Sequence, residues 1–446
     1  MGTADGALRS DFRSASIRER AADLLLIAVL ALSIWDGQRI WGTEISRTRE
    51  LFVIYCLLAI TLLGRPWRVL PRSVFVPGAV LLGLAVAGLL TWARQLDWEL
   101  GVNFWSEIVT LGACLLFGLA YGAARWPAWR LIIIGAGVAV SLLQLVSLLL
   151  GVTTRGFSPG APGFYAARPI AAQIALLILA GYVLLLLDTR IDERVRLPLA
   201  CLLGVSVVLA QHRSVWVALV VVLVLTSLMT VRGSLTAKSG VPVAVTGACF
   251  LAALVLPLAG VQLLPGGESS GAESSSGLPD VARSSDTLQW RWDMWTSRLQ
   301  APRSVIQWMI GGSAGQTPAF GPGSTVMNPG NSAHSMFIDV QVMLGFAGLA
   351  MVLWLFYLAV LRLARLTELG VFMWGAMAYG FFYIWPSWVW IVLGAAAALS
   401  VPAAVVTSEA GQGTHPIPQG DATSGVKQGE SGARSPTHAD SVDVCE

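Results

Sequence analysis

"GNSAHSMFIDVQVMLGFAGLAMVLWLF", Gly330–Phe356, opens with small and polar residues around His334 and then runs almost wholly apolar to its end. It holds no Lys or Arg, and Asp339 is its one acid. About 20 such residues cross the hydrocarbon core of a bilayer as a helix, so this stretch reads as a membrane span with a histidine at its lip. The rest of the chain has the same character. Of its 446 residues 55% are hydrophobic and 12% charged, with a mean hydropathy of +0.68, against about 25% charged in a soluble domain. This composition excludes a soluble globular enzyme and shows no basic patch for nucleic acid.

Outward from that stretch, apolar runs predict spans at Ala21–Trp35, Leu51–Gly64, Val74–Trp92, Asn103–Ala124 and Trp129–Gly151. Further runs lie at Ile170–Leu187, Leu197–Ala210, Ser214–Val231, Val241–Leu264 and Met336–Leu361, and the block Val371–Val406 splits near Pro386. The expected fold is all-α and polytopic, with about twelve transmembrane helices. The first run follows a basic N-terminus and no small-residue cleavage pattern follows it, so it reads as a span and not as a removable signal.

A cytoplasmic N-terminus would put Arg9–Arg20, Arg65–Arg72, Arg125, Arg130, Arg190–Arg196, Arg232, Lys238, Arg362 and Arg365 inside. The positive-inside rule favours that orientation. The expected organisation is then a cytoplasmic segment at 1–20, spans over 21–264, one large outer loop at 265–333, spans over 334–406 and a polar cytoplasmic tail at 407–446. The tail is rich in Gly, Ser, Thr and Pro, nearly free of aromatic residues, and expected to be disordered. Cys56, Cys114, Cys201 and Cys249 lie in apolar runs and Cys445 in the tail, a spacing that predicts neither disulfides nor a metal site. No cofactor is implied.

Within the outer loop, "SSDTLQWRWDMWTSRLQ", Ser284–Gln300, has helical periodicity. At 100° per residue Leu288, Trp292, Trp295 and Leu299 share one stripe, with Arg291 and Arg298 along its edge. Such a helix would lie in the membrane interface, tryptophans down and both arginines at headgroup level.

Ionisable residues at the outer ends of the spans are the candidates for chemistry. His212 and His334 share that side with Arg213, Arg291, Arg298, Arg47, Arg49, Arg155 and Arg168. Guanidinium forks suit phosphate oxygens, and a neutral imidazole can take a proton from a hydroxyl near pH 7. Position alone leaves simpler readings open: a histidine at a span end can be merely interfacial, and terminal arginines snorkel. On the same terms Gly345 and Gly348 can be small residues that admit a neighbouring helix, and Asp339 can bond an adjacent helix.

Spacing adds more. His334 and Ser335, nine residues, Gly345, two residues and Gly348 resemble the signature of bacterial O-antigen ligases. The wider superfamily of O-antigen ligases and polymerases is similar also in an arginine at a short outer turn, "AQHRSVWVAL" around Arg213, and in an Arg/Trp helix, "QWRWDMWTSRL", followed by the Gly-rich "IGGSAGQ". The similarity covers mainly Leu197–Leu361. Ligases often carry Leu four residues after that arginine, where this chain has Val217, which points to the superfamily more than to a strict ligase.

The resemblance implies a metal-independent, inverting membrane glycosyltransferase of GT-C-like fold, in lipopolysaccharide or exopolysaccharide synthesis at the cell envelope. Its donor would be an undecaprenyl-diphosphate glycan, and its acceptor a lipid A core sugar or a second lipid-linked glycan, among membrane lipids at the periplasmic face of the bacterial inner membrane. His334 would be the catalytic base, with Arg213 and Arg291 on the diphosphate and Arg298, Arg47, Arg49, His212 and Arg168 as further substrate contacts. A Wzy-like repeat-unit polymerase is the alternative within the superfamily. A polysaccharide transporter or flippase is the alternative of another class, and would place charged or broken-helix sites near mid-membrane.

Overall fold

A computed structural model describes residues 17–38, 98–149, 170–210, 212–232, 237–255, 284–300, 302–311, 316–318, 327–329, 335–360 and 367–400. The spans expected at Leu51–Gly64 and Val74–Trp92, the loop segment 265–283, the tail, and the candidates His334, Arg47, Arg49, Arg155 and Arg168 lie outside the described residues.

The described chain is helical apart from one small ribbon. Its helices are α1 (Ile17–Gln38), α2 (Trp98–Leu149), α3 (Ala172–Leu186), α4 (Glu193–Leu209), α5 (Arg213–Val231) and α6 (Gly240–Val255). They continue as α7 (Ser284–Gln300), α8 (Val305–Ile310), α9 (Met336–Val360), α10 (Glu368–Gly380) and α11 (Ser387–Leu399). Strands β1 (Gln316–Pro318) and β2 (Met327–Pro329) pair antiparallel, with Thr317 opposite Asn328, a feature the all-α expectation did not include.

Leu111–Leu149, Arg213–Val231 and Met336–Val360 are long and apolar enough to cross a membrane, and α3, α6 and α11 are shorter apolar helices. α3 is buried on every side, as a helix apolar all round must be, and forms the centre of the bundle.

α2 joins two of the expected runs. The two spans Asn103–Ala124 and Trp129–Gly151 belong to a single helix of 52 residues with Pro127 inside it. It is not straight. Phe117 and Trp129 stack with ring centres 5.4 Å apart, whereas twelve residues of straight helix separate their backbones by about 18 Å. The helix therefore bends around Pro127, whose ring removes a backbone donor and clashes with the preceding turn. Its first half lies against α11: a Cβ on Gly118 or Gly122 would collide with the backbone of Ile391 or Ala395. The spacing of those two glycines, "GLAYG", is the small-residue device for close helix approach. Its second half packs on α3, where Gly137 faces Gly181.

Polar contacts orient the helices. Asp23 of α1 accepts from Arg125 and from the indole of Trp129, both beside the α2 bend. Arg130 bridges Asp188, just past α3, at 2.9 Å and Glu368, which opens α10, at 3.1 Å. At the opposite end of α3 the Nε2 of His212 donates to the carbonyl of Ile170 at 2.5 Å, a role forced on it because a carbonyl only accepts. The start of α5 and the start of α10 thus lie at opposite ends of α3. α5 and α10 run antiparallel, with Gly375 against Ala218 and Val222, and the end of α10 lies beside the start of α5. Among the described residues the buried charged side chains are Asp23, Arg125, Arg130, Asp188, Arg196, Arg298 and Asp339. All of them sit at one end of the bundle or the other, where partners and water lower the cost of charge.

Gly345 breaks α9. Its φ is +67°, and it meets Gly311, φ +77°, at the end of α8. A Cβ on Gly345 would strike the Met309 carbonyl, and one on Gly311 the Met343 carbonyl. The glycine of the His334 spacing is therefore more than a small packing residue: it supplies a left-handed backbone at a crossing where two main chains touch. Gly345→Ala should lower the unfolding free energy in detergent by at least about 1–3 kcal/mol through backbone strain alone. Unchanged thermal unfolding of that variant would contradict the crossing.

Candidate active site at the Arg298 end

The end of the bundle that holds His212 also receives α7. This helix has the bounds its periodicity predicts, Ser284–Gln300, but it sits with a different face inward. Arg291, Met294 and Arg298, spaced three and four apart, turn toward the bundle, and Met294 and Arg298 are 1% and 2% exposed. Trp292, 62% exposed, and Leu299 point away. The apolar edge faces the surroundings, as suits a helix in contact with lipid.

Arg298 is accordingly inside the protein. Its Nη1 donates to Asp339 Oδ1 at 3.1 Å, and both side chains are buried. This contact ties α7 to the first turn of α9. His212 is likewise turned inward and tied to Ile170.

Arg291 lies over the Tyr383 ring, 5.6 Å from its centre. Tyr383 follows α10 in a turn whose neighbouring residues grip two other elements: Phe381 packs on Phe337 of α9 at 4.5 Å and Phe382 on Trp295 of α7 at 6.5 Å. The turn holds the arginine helix and the helix after His334 to the same end of the bundle. Arg213 opens α5 at that end, with its side chain exposed. Arg213 and Arg291 are thus brought to one end, whereas the candidates at 334, 47, 49 and 168 lie outside the described residues.

Sequence reasoning missed Arg303. It sits between α7 and α8, donates from Nη1 to Gln341 Oε1 at 3.2 Å and from Nη2 to the Arg298 carbonyl at 2.5 Å, and lies 4.9 Å from the Trp308 ring centre. Burial first, then the charge of Arg298, pushes its pKa down from the usual arginine value. A guanidinium keeps its proton all the same. Among the described residues no group of His, Cys, Asp and Glu could hold a metal ion.

A helical membrane bundle with guanidiniums gathered at one end is the class these features define. Residues 197–353 match the family model described as O-Antigen ligase (Wzy_C), just over a third of the chain, and the match supports the O-antigen ligase superfamily. It covers α4 through most of α9, and with them Arg213, Arg291, Arg298, Arg303 and Asp339. It supports glycosyl transfer of the ligase or polymerase type. No curated protein and no solved structure matches the chain.

The Arg298–Asp339 pair carries a stability prediction. Arg298→Met alone leaves a buried carboxylate without its cation and should cost about 3–5 kcal/mol, while Arg298→Met with Asp339→Leu should recover most of it. A double-mutant cycle by thermal unfolding in detergent reads the coupling, and additive losses would show that the pair does not act as a unit.

Proposed function

We propose that this chain moves a glycan from an undecaprenyl-diphosphate donor to an acceptor hydroxyl at the periplasmic face of the inner membrane. The observation that carries the reading is the placement of Arg213 and Arg291 at one end of the bundle, beside the start of α9, within the stretch that matches the O-antigen ligase model. The Arg298 end is then the periplasmic one and the Arg130 end the cytoplasmic one. With the spans expected in residues 51–92, the helices make a polytopic bundle of about twelve crossings, of GT-C type.

The chemistry needs little from the protein, because a diphosphate is already a good leaving group. His334 takes the proton of the acceptor hydroxyl as its oxygen attacks the anomeric carbon. The bond from that carbon to the diphosphate oxygen breaks, its electron pair leaving with undecaprenyl diphosphate. Arg213 and Arg291 compensate the charge that builds on the leaving oxygen. Attack opposite the leaving group inverts the anomeric centre, and no step calls for a metal. Arg298, Arg47, Arg49, His212 and Arg168 are further substrate contacts in this scheme.

Repeat-unit polymerization is the second reading, favoured by Val217 in place of the leucine that ligases often carry. The two differ in acceptor, a lipid A core sugar against a second lipid-linked repeat. A deletion strain separates them: loss of a ligase leaves long chains on the carrier, and loss of a polymerase leaves single repeats. A flippase fits less well, since the buried charges described lie at the ends of the bundle and not at its middle.

His334→Ala should lower glycan transfer in membranes supplied with lipid-linked donor by about 10²–10⁴-fold, the usual worth of a general base. Wild-type turnover in that variant would remove His334 from the mechanism. Arg213→Lys keeps the charge but loses the fork, so donor affinity should fall. Unaltered affinity would rule out bidentate phosphate holding by Arg213.

A further inference from the structure

Arg303 is held as if for an anion. Three protein groups fix its guanidinium: the Gln341 side-chain oxygen, the Arg298 carbonyl and the Trp308 ring. The two hydrogen-bond acceptors are neutral. Asp339, two residues from Gln341, is engaged by Arg298, and among the described residues no carboxylate forms an ion pair with Arg303. Its Nε and the Nε2 of Gln341 are buried and have no hydrogen-bond partner among the described residues. The orientation of that amide is not arbitrary: a guanidinium only donates, so Gln341 must turn its oxygen to Arg303 and its NH₂ away. Each side chain of this bonded pair therefore keeps a donor unengaged, and one of the two carries a full charge.

The neighbouring surface is apolar. Val305, Ile306 and Met309 of α8 are 79%, 66% and 51% exposed, and Phe346 across from them is 49% exposed. Trp308 stacks on Phe346 at 5.6 Å, which lays α8 along the outer part of a membrane-length helix. A fixed cation bordered by exposed hydrocarbon matches a ligand with an anionic head and an apolar tail. Several guanidiniums share this end, Arg213 and Arg291 besides Arg303, which suits a diphosphate better than the single charge of a phospholipid.

We propose that Arg303 and Gln341 form a binding site for the diphosphate of the lipid-linked donor, with its hydrocarbon chain along Val305, Ile306 and Met309. The assignment rests on the glycosyl-transfer reading and adds to it a residue pair beyond Arg213 and Arg291. Arg303 is a binding residue here, and Trp308 and the Arg298 carbonyl position it.

The test measures binding of undecaprenyl diphosphate, without sugar, to the full chain in phosphatidylcholine nanodiscs. Arg303→Gln should weaken binding by about tenfold or more, the scale of one lost charge-assisted hydrogen bond. Gln341→Glu is the second variant. It sets a carboxylate against Arg303, so the fold is kept by an ion pair while the cation is neutralised in place, and binding should fall as in Arg303→Gln with the unfolding temperature unchanged or raised. Phosphatidylglycerol as competitor should not displace the probe. If wild type binds undecaprenyl diphosphate and both variants bind it equally well, the Arg303 site is overturned and the glycosyl-transfer reading stands. If Arg303→Gln instead abolishes enrichment of phosphatidylglycerol and spares undecaprenyl diphosphate, the site belongs to bulk lipid and the proposal fails. If wild type does not bind undecaprenyl diphosphate at all, this inference and the donor assignment fall together.

Discussion

Arg298 and Asp339 meet where neither is exposed, and the arrangement of the whole Arg298 end follows from that meeting. Two charges out of water gain little net stability from each other, yet separating them strands one of them at a cost of several kcal/mol. Such a pair therefore selects one geometry more than it strengthens it. Because Arg298 points at α9, α7 must turn Arg291 and Met294 the same way and Trp292 outward. With Arg298 fixed, its carbonyl is available to hold Arg303, and α8 then crosses α9 where Gly311 and Gly345 allow main chain to touch main chain.

Much of this was legible in the residues. The bounds of α7, α5 and α9 coincide with apolar or periodic runs almost to the residue, since helix length and period are local properties. Which face turns inward is not local. In water an apolar stripe must find the core, but beside a bilayer the same stripe is at home facing lipid; Trp292 and Leu299 point outward as grouped, whereas Trp295 of that stripe packs on Phe382. The inward face is set by Asp339, forty-one residues away from Arg298. The break at Gly345 was hidden for a similar reason: its cause is Met309, on a different segment. The close approach at Gly118 and Gly122 had a sequence signal, a glycine pair four apart, that a reading centred on polar residues passed over. Arg303 had none, because its worth depends on Gln341 and Trp308 standing beside it.

For the site, spacing located the region and the structure sorted its members. Arg213 and Arg291 come to one end of the bundle, whereas Arg298 and His212 are engaged inside the protein. The distinction is one of partners: Arg298 faces a buried carboxylate, and Arg303 is held by carbonyl, amide and indole.

Arg130 has a further consequence, for the order in which the chain is made. Its two carboxylates come from places far apart, and Glu368 is 238 residues downstream of it. At about 5–20 residues per second of synthesis, the ribosome delivers that second acid roughly 10–50 s after the arginine. Asp188, made earlier in that interval, is the first acid it can meet, and the glycine face of α2 stays uncovered until Ile391 and Ala395 arrive. The nascent protein thus passes through a stage in which its first helices are threaded but not locked, and closure waits for the last two.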